Sequence, residues 1–423
     1  MNVSTSSLVK NSIYKGLLNI FNLIIPLFTI PYIYRVLSPS SMGNFEYCNT
    51  LFSYFSLWGV LGIYTFGMRE VSRVRSNPVL VNRIYSTLFS IGIVSNLLVL
   101  AIFIVFSYFT FTNVVLLRVL LIFSLNLVAN IFYTEWINEA FEDFRFIAIK
   151  TCIVRLLYVA GVFIFVKGPT DLEKYAVLVV VSNFINYIIS FLYSKKYTKL
   201  NIFTIHITKD DLKKYLPALF FILLLNNSSV FYTTLDKIML GSFEGTQAVA
   251  YYSVGQKIME ISRSVLITFT YVSLPRLSYY CGNDIERYKY GIQKLFHFIL
   301  FFSIPLAIGL CLLSKDVVFL FAGKQYAPAV FPLIIFSVRI VTLMIENISA
   351  QQILFLHKKE KIVAGINIIW GIGNLLLNYL LIHFCAFSPT TAIFSTLCVE
   401  IGLLCSELLY IRNHLHIRLD ISN

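Results

Sequence analysis

The sequence predicts an all-α polytopic membrane protein, with about twelve transmembrane helices in two pseudo-symmetric six-helix bundles. Three observations lead there. Apolar residues make up 58% of the 423 residues and charged residues 13%, whereas a soluble domain is nearer half apolar and a quarter charged. The apolar residues gather in long runs, and about 20 residues at 1.5 Å rise cross a hydrocarbon core of ~30 Å. The longest polar interruption, 194–216, carries Lys195, Lys196, Lys199, Lys209, Lys213 and Lys214 and falls near the midpoint of the chain.

Span 1, at 16–37, follows a Ser-rich start with Lys10 and Lys15. No small-x-small cleavage site follows it, so it reads as a retained helix rather than a removed signal peptide. Spans 2 to 6 follow at 46–67, 84–108, 112–133, 147–167 and 172–193. Spans 7 to 12 lie at 215–235, 248–274, 292–313, 328–356, 362–386 and 389–411. The expected domains are an N-terminal half (1–193), a cytoplasmic tether (194–214) and a C-terminal half (215–423). The halves look duplicated. PYIYRVLSPSSMGNFEYCNTL at 31–51 matches TTLDKIMLGSFEGTQAVAYYSVG at 233–255 in character, and EDFRFIAIK at 142–150 matches KKEKIVAGI at 358–366. Duplicated halves are a common transporter plan, with the substrate site between the repeats.

The net charge of +13 is spread through the gaps between apolar runs. It is therefore read as topology and not as a nucleic-acid surface. With the N-terminus in the cytoplasm, the inner segments hold 23 Lys and Arg residues and the outer ones 7, which predicts that both termini are cytoplasmic. The outer loops are too short to fold as a catalytic domain. The seven cysteines show no CxxC pair and mostly fall inside apolar runs, as small buried residues do.

Spans 1 and 7 are unusually polar and contain prolines. Asn22, Pro26 and Pro31 in span 1, with Asn226, Asn227 and Tyr232 in span 7, are candidates to line a central cavity and bend during transport. Proline frees backbone carbonyls, which in lipid must be met by neighbours or by a wet cavity. Ordinary polar packing between helices is the alternative. Four arginines fall within spans: Arg118, Arg155, Arg263 and Arg339. An arginine near the bilayer centre costs from ~3 to more than 10 kcal/mol and rarely faces lipid. A set of them in a cavity is what a diphosphate needs, because the guanidinium fork grips phosphate oxygens in pairs. Arg118 lies near a span end and can snorkel. Charge pairing is the alternative for the others, Glu260 being three residues before Arg263. Asp236, Glu346, Glu400 and Glu407 are candidates for ion coupling or, alternatively, partners of the arginines. His297 and His383 lack a metal-ligand pattern, and no Walker loop, GxSxG or HExxH occurs. The sequence thus predicts no enzyme, no cofactor and no metal.

Several stretches resemble the O-antigen (Wzx-type) flippases, the polysaccharide branch of the flippase and multidrug-exporter superfamily. Leu61-Gly62 followed by Gly67-Met68-Arg69-Glu70-Val71 resembles that family's LG…GxRE[IV] after span 2. Trp136 to Ile149 resembles its segment between spans 4 and 5. Leu235 to Gly241 resembles its LDKIMLG, and Tyr251-Tyr252-Ser253 through Lys257-Ile258 its GYYS…KI, with Ala250 where glycine is common. The resemblance runs along about the whole chain. It implies two six-helix bundles around a V-shaped cavity and a substrate of oligosaccharide on polyprenyl diphosphate, carried from the inner to the outer leaflet of a bacterial inner membrane. It also implies polysaccharide polymerase and chain-length proteins as partners. The motif glycines, Arg69 and Glu70 read as packing and loop anchors.

Two alternatives remain at this point. A drug or cation exporter of the same fold would want an anionic or neutral cavity, and the deep arginines count against it. A membrane-embedded glycan-modifying enzyme would want a large outer loop or a His/Asp set near a membrane face, and neither is visible.

Overall fold

The computed structural model describes residues 5–198, 208–227, 230, 234–384, 387–417 and 419–420. Among them there are helices and turns but no strand. The chain divides into two compact units, Met1–Asn226 and Asn227–Asn423.

The first unit holds α1 (Thr5–Val36), α2 (Pro39–Val60), α3 (Ile63–Val74), α4 (Pro78–Thr110), α5 (Val114–Ile131), α6 (Glu135–Ala140), α7 (Phe144–Phe165), α8 (Leu172–Ser194) and α9 (Lys209–Asn227). The second holds α10 (Leu235–Phe243), α11 (Thr246–Asn283), α12 (Ile285–Leu312), α13 (Ser314–Phe321), α14 (Val330–Asn347), α15 (Glu360–Phe384) and α16 (Pro389–Tyr410). Nine helical segments among the described residues are long and apolar enough to cross a membrane. The three other expected spans overlap α1, α9 and α11, and 228–229 and 231–233 of span 7 lie outside the described residues.

Local sequence explains where the helices begin. Ser38, Asn77, Asn113 and Ser388 each turn a side-chain oxygen onto a first-turn N–H. Prolines 39, 78 and 389 follow three of them, where the missing N–H costs nothing. Span 2, expected as one helix, is broken. Leu61 and Gly62 adopt left-handed φ of +49° and +70°, which separates α2 from α3. The break is patched from α4: the carbonyl of Gly59 accepts from Ser95 Oγ at 2.6 Å and Asn96 Nδ2 at 3.0 Å. A free carbonyl at that depth would be costly. The helix α9 lies against the break, and a Cβ on Gly62 would come within 3.1 Å of the Leu219 carbonyl oxygen.

Both units repeat one packing pattern. In the first, α5 sits at the hub and packs on α2, α4 and α8; in the second, α14 packs on α11, α12 and α16. These are the fourth helices of each half meeting the second, third and sixth. The pairs α7–α8 and α15–α16 repeat the contact of fifth with sixth. This is the pseudo-symmetry predicted from the duplicated stretches. Exposed apolar side chains such as Leu98, Phe109, Leu157, Phe301, Phe331 and Ile369 coat the outside of the bundles, as a lipid-facing surface requires.

The loops are pinned by carboxylates. Asp143, before α7, accepts from the hydroxyls of Tyr193 (2.6 Å) and Tyr197 (2.7 Å) and from Lys196 Nζ (3.2 Å). Partial burial pushes the Asp143 carboxyl up, but these three donors outweigh it and hold it below its ordinary range. Asp171, before α8, pairs with Lys174 and accepts the backbone N–H groups of Lys167 and Gly168, both at 2.9 Å. Its carboxyl is drawn down to about 2, first by Lys174 and then by the two N–H groups.

Candidate functional site

The motifs quoted from the sequence meet in space. Trp136 is buried against Gly67, where a Cβ would lie 2.7 Å from the indole ring. That contact locks α3 onto α6. Arg69, Glu70 and Arg73 form exposed ion pairs on the same helix. In the second unit, Tyr252 of α11 donates to Asp236 Oδ2 of α10 at 2.7 Å, which joins the two remaining motifs.

Asp236 is fully buried. Besides Tyr252, it accepts from Asn378 Nδ2 of α15 at 2.8 Å and from the Thr396 hydroxyl of α16 at 2.5 Å. Thr396 in turn accepts from Asn374 at 3.0 Å. Arg339 of α14 grips Glu400 of α16 through Nε at 2.7 Å and Nη2 at 2.5 Å. The two side chains are only 4% and 5% exposed. The Arg339 charge also reaches Asp236. Glu400 and Arg263 both act on Glu346, and Glu346 acts on Glu407. Both oxygens of Glu407 are buried without a hydrogen-bond partner among the described residues. All four acidic candidates and two of the four arginines are therefore drawn into one polar cluster inside the second unit. If ionised, its four carboxylates face two guanidiniums, which leaves two negative charges uncompensated away from water. Such a cluster suits a small cation or protons. Among the described residues no three metal-ligating side chains gather as a closed metal site.

The four arginines have different surroundings. The fork of Arg339 is taken up by Glu400 in this conformation. Arg118 points to an exposed end of the bundle and pairs with Glu173 at 3.3 Å. Arg155, on α7, and Arg263, on α11, are half-buried. Neither has a carboxylate at ion-pair distance among the described residues. Glu260, the sequence neighbour of Arg263, instead accepts from Gln256 at 2.9 Å.

In α1, Pro26 and Pro31 sit inside a continuous helix. The missing N–H of Pro26 leaves the carbonyl of Asn22 without its helical donor. The side-chain Oδ1 of Asn22 is likewise buried without a partner among the described residues. Asn227 ends α9 and is half-buried; Tyr232 and the side chain of Asn226 lie outside the described residues.

Four buried charges among the described residues escaped the sequence reading, Glu46, Lys150, Asp211 and Lys237; the first two are the deepest. The 23 inner cations include Lys150, but its side chain is 1% exposed and is held by Glu135 and, at 2.6 Å, by Ser190 Oγ. Glu46, at the start of α2, is buried and accepts from the Tyr34 hydroxyl at 3.1 Å. Both lie at edges of apolar runs, where hydropathy alone cannot separate a loop from a packed helix end.

The family model described as "Polysaccharide biosynthesis protein" matches residues 8–281. The chain belongs to this family. A protein of Escherichia coli (strain K12) named "Putative O-antigen transporter" is 23% identical over 98% of this chain and 99% of its own length. Among solved structures, the lipid II flippase MurJ in an inward closed conformation superposes with a TM-score of 0.73 at 16% identity, covering 96% of this chain and 88% of MurJ. An inward-facing multidrug resistance MATE transporter of the MOP superfamily gives 0.69 at 11% identity, over 93% and 94%. The fold is therefore that of the flippase and multidrug-exporter superfamily, and this member of the polysaccharide biosynthesis family is a multi-pass membrane protein.

Proposed function

We propose that this protein moves polyprenyl-diphosphate-linked oligosaccharide, the repeat unit of an O-antigen or capsule, from the cytoplasmic to the outer leaflet of the bacterial inner membrane by alternating access. Family membership, the O-antigen transporter relative and the MurJ-like fold all support a lipid-linked glycan as cargo. The observation that carries the reading is made at Arg155 in the first unit and, separately, at Arg263 in the second. Each is a half-buried guanidinium on a membrane-spanning helix with no carboxylate at ion-pair distance among the described residues, although the charge of Arg263 also reaches Glu346. Such a charge is costly in lipid, and an anionic ligand removes the cost. A diphosphate fits the guanidinium fork.

On this reading the halves 1–193 and 215–423 are joined by a cytoplasmic tether at 194–214, and both termini lie inside, in keeping with the 23-to-7 distribution of basic residues. The acidic cluster of Asp236, Glu346, Glu400 and Glu407 couples transfer to a cation or proton gradient. Polymerase and chain-length proteins act next on the delivered unit. The excess of negative charge in that cluster also favours a second reading, a cation-coupled exporter of small molecules.

The test is transfer of a lipid-linked oligosaccharide across liposomes containing the purified protein, with the outer leaflet probed by an impermeant glycosidase. Arg155→Ala and Arg263→Ala each lower transfer about tenfold or more, and the Lys variants keep part of it, since an ammonium supplies charge without the fork. Full transfer by both Ala variants would sink the anion-binding role. No transfer by the wild type, together with cation efflux under an imposed gradient, would establish the exporter instead.

A further inference from the structure

Away from the acidic cluster, α11 and α12 enclose a groove of about 680 Å³ near the hairpin that joins them. Its mouth carries Arg276, Arg287 and Lys294, and no acidic residue lines it. Its floor is apolar, with Phe269, Leu277 and Phe298. Lys294 has no ion-pair partner among the described residues. Arg276 is steadied by Tyr280, which its Nε meets at 3.2 Å and whose ring lies 5.5 Å from the guanidinium. Arg287 pairs with Asp284 at 3.1 Å on the solvent side of the hairpin.

The order of groups along the groove matches an amphiphile. Counted from Asp284 in the hairpin, Arg287 is 3 residues away, Arg276 and Lys294 are 8 and 10, and Phe298 and Phe269 are 14 and 15, so Arg276 and Lys294 share a depth, Arg287 lies nearer the hairpin and the aromatic rings lie deeper. The same helices turn exposed apolar side chains outward here, Val265 and Val272 on α11 and Phe301 on α12. The groove therefore opens toward lipid. Exposed Tyr279 and Tyr290 flank the hairpin, as aromatic residues do at headgroup level.

We propose that this groove is a binding site for an anionic phospholipid of the adjoining leaflet, the cytoplasmic one in the orientation proposed above. Its headgroup phosphate is held by Arg276 and Lys294, with Arg287 nearer the hairpin, and one acyl chain lies along Phe269 and Phe298. Arg276 and Lys294, two cations with no carboxylate partner among the described residues, choose an anionic headgroup over a zwitterionic one, and basic pockets between membrane helices hold lipid phosphates in this way. Gly291 lines the groove beside Leu277, whose Cδ2 a Cβ there would meet at 2.9 Å.

Native mass spectrometry of the full-length protein, titrated with phosphatidylglycerol, phosphatidylethanolamine or undecaprenyl phosphate, tests this without measuring transport, so it stands or falls apart from the flippase reading. Phosphatidylglycerol binds at least fivefold tighter than phosphatidylethanolamine. The double variant Arg276→Gln/Lys294→Gln removes that preference, and Lys289→Gln, one turn away and outside the groove, leaves it intact. Gly291→Leu lowers binding sterically with the charges kept, which serves if the double variant folds poorly. Equal binding of the two phospholipids, equal loss in Lys289→Gln, or wild-type binding by Gly291→Leu overturns the site. Undecaprenyl phosphate displacing phosphatidylglycerol at equal concentration overturns the phospholipid as occupant and makes the groove a seat for the carrier lipid.

Discussion

Arg339 and Glu400 show how burial decides what a charge can do. One bidentate pair inside the bundle takes up the Nε and Nη2 edge of the guanidinium. Removing one partner of such a pair strands the other and costs about 3–5 kcal/mol, whereas replacing both by apolar residues is often neutral. Arg339→Ala therefore lowers the yield of folded protein in detergent, and Arg339→Met/Glu400→Leu recovers much of it, as size-exclusion profiles would show. An Arg339→Ala protein that folds normally yet loses transfer would instead make Arg339 a substrate ligand. Asp143 obeys a different logic at the surface. Its folded-state value is depressed, so its contribution is present at and above the ordinary carboxylate value and is lost as pH falls through the folded one. Asp143→Asn is expected to melt a few degrees below wild type at pH 7, and the gap should close below about pH 4. A gap independent of pH would show that the carboxylate charge is not what holds the loop.

At the scale of the helix, hydropathy marked the spans well, because lipid imposes one length and one composition on each. It did not mark the Leu61-Gly62 break. The apolar run continues across it, and its cause is a set of side chains from α4, some 35 residues away in sequence. Nor could it see that Asp236 is shared by α11, α15 and α16, since those partners lie 16, 142 and 160 residues distant. The two prolines of α1 were visible as letters, and their effect follows from their chemistry. Pro26→Ala and Pro31→Ala together restore two helical hydrogen bonds and stiffen α1. Transfer should fall several-fold while thermal stability in detergent holds or rises. Unchanged transfer would reduce the prolines to packing.

For the whole molecule, the duplicated plan was legible from short stretches that match in character, and the repeated hub arrangement of α5 and α14 gives it physical form. The proposed topology rests on charge and is open to direct test. In a background with the native cysteines replaced, Lys174→Cys should react with an impermeant maleimide on intact cells and Lys289→Cys only after lysis. The reverse pattern would invert the protein in the membrane and move the tether outside.

The helix α11 spans 38 residues, about 57 Å at the helical rise, against a hydrocarbon core of ~30 Å. It is a lever as well as a span. A rod of that length turning by about 10° about its middle swings its tip through about 5 Å, and Arg263 lies near the fulcrum while Arg276 lies near the tip. In a straight rod small rotations at the centre become large strokes at the hairpin, less what Pro275, just before Arg276, absorbs.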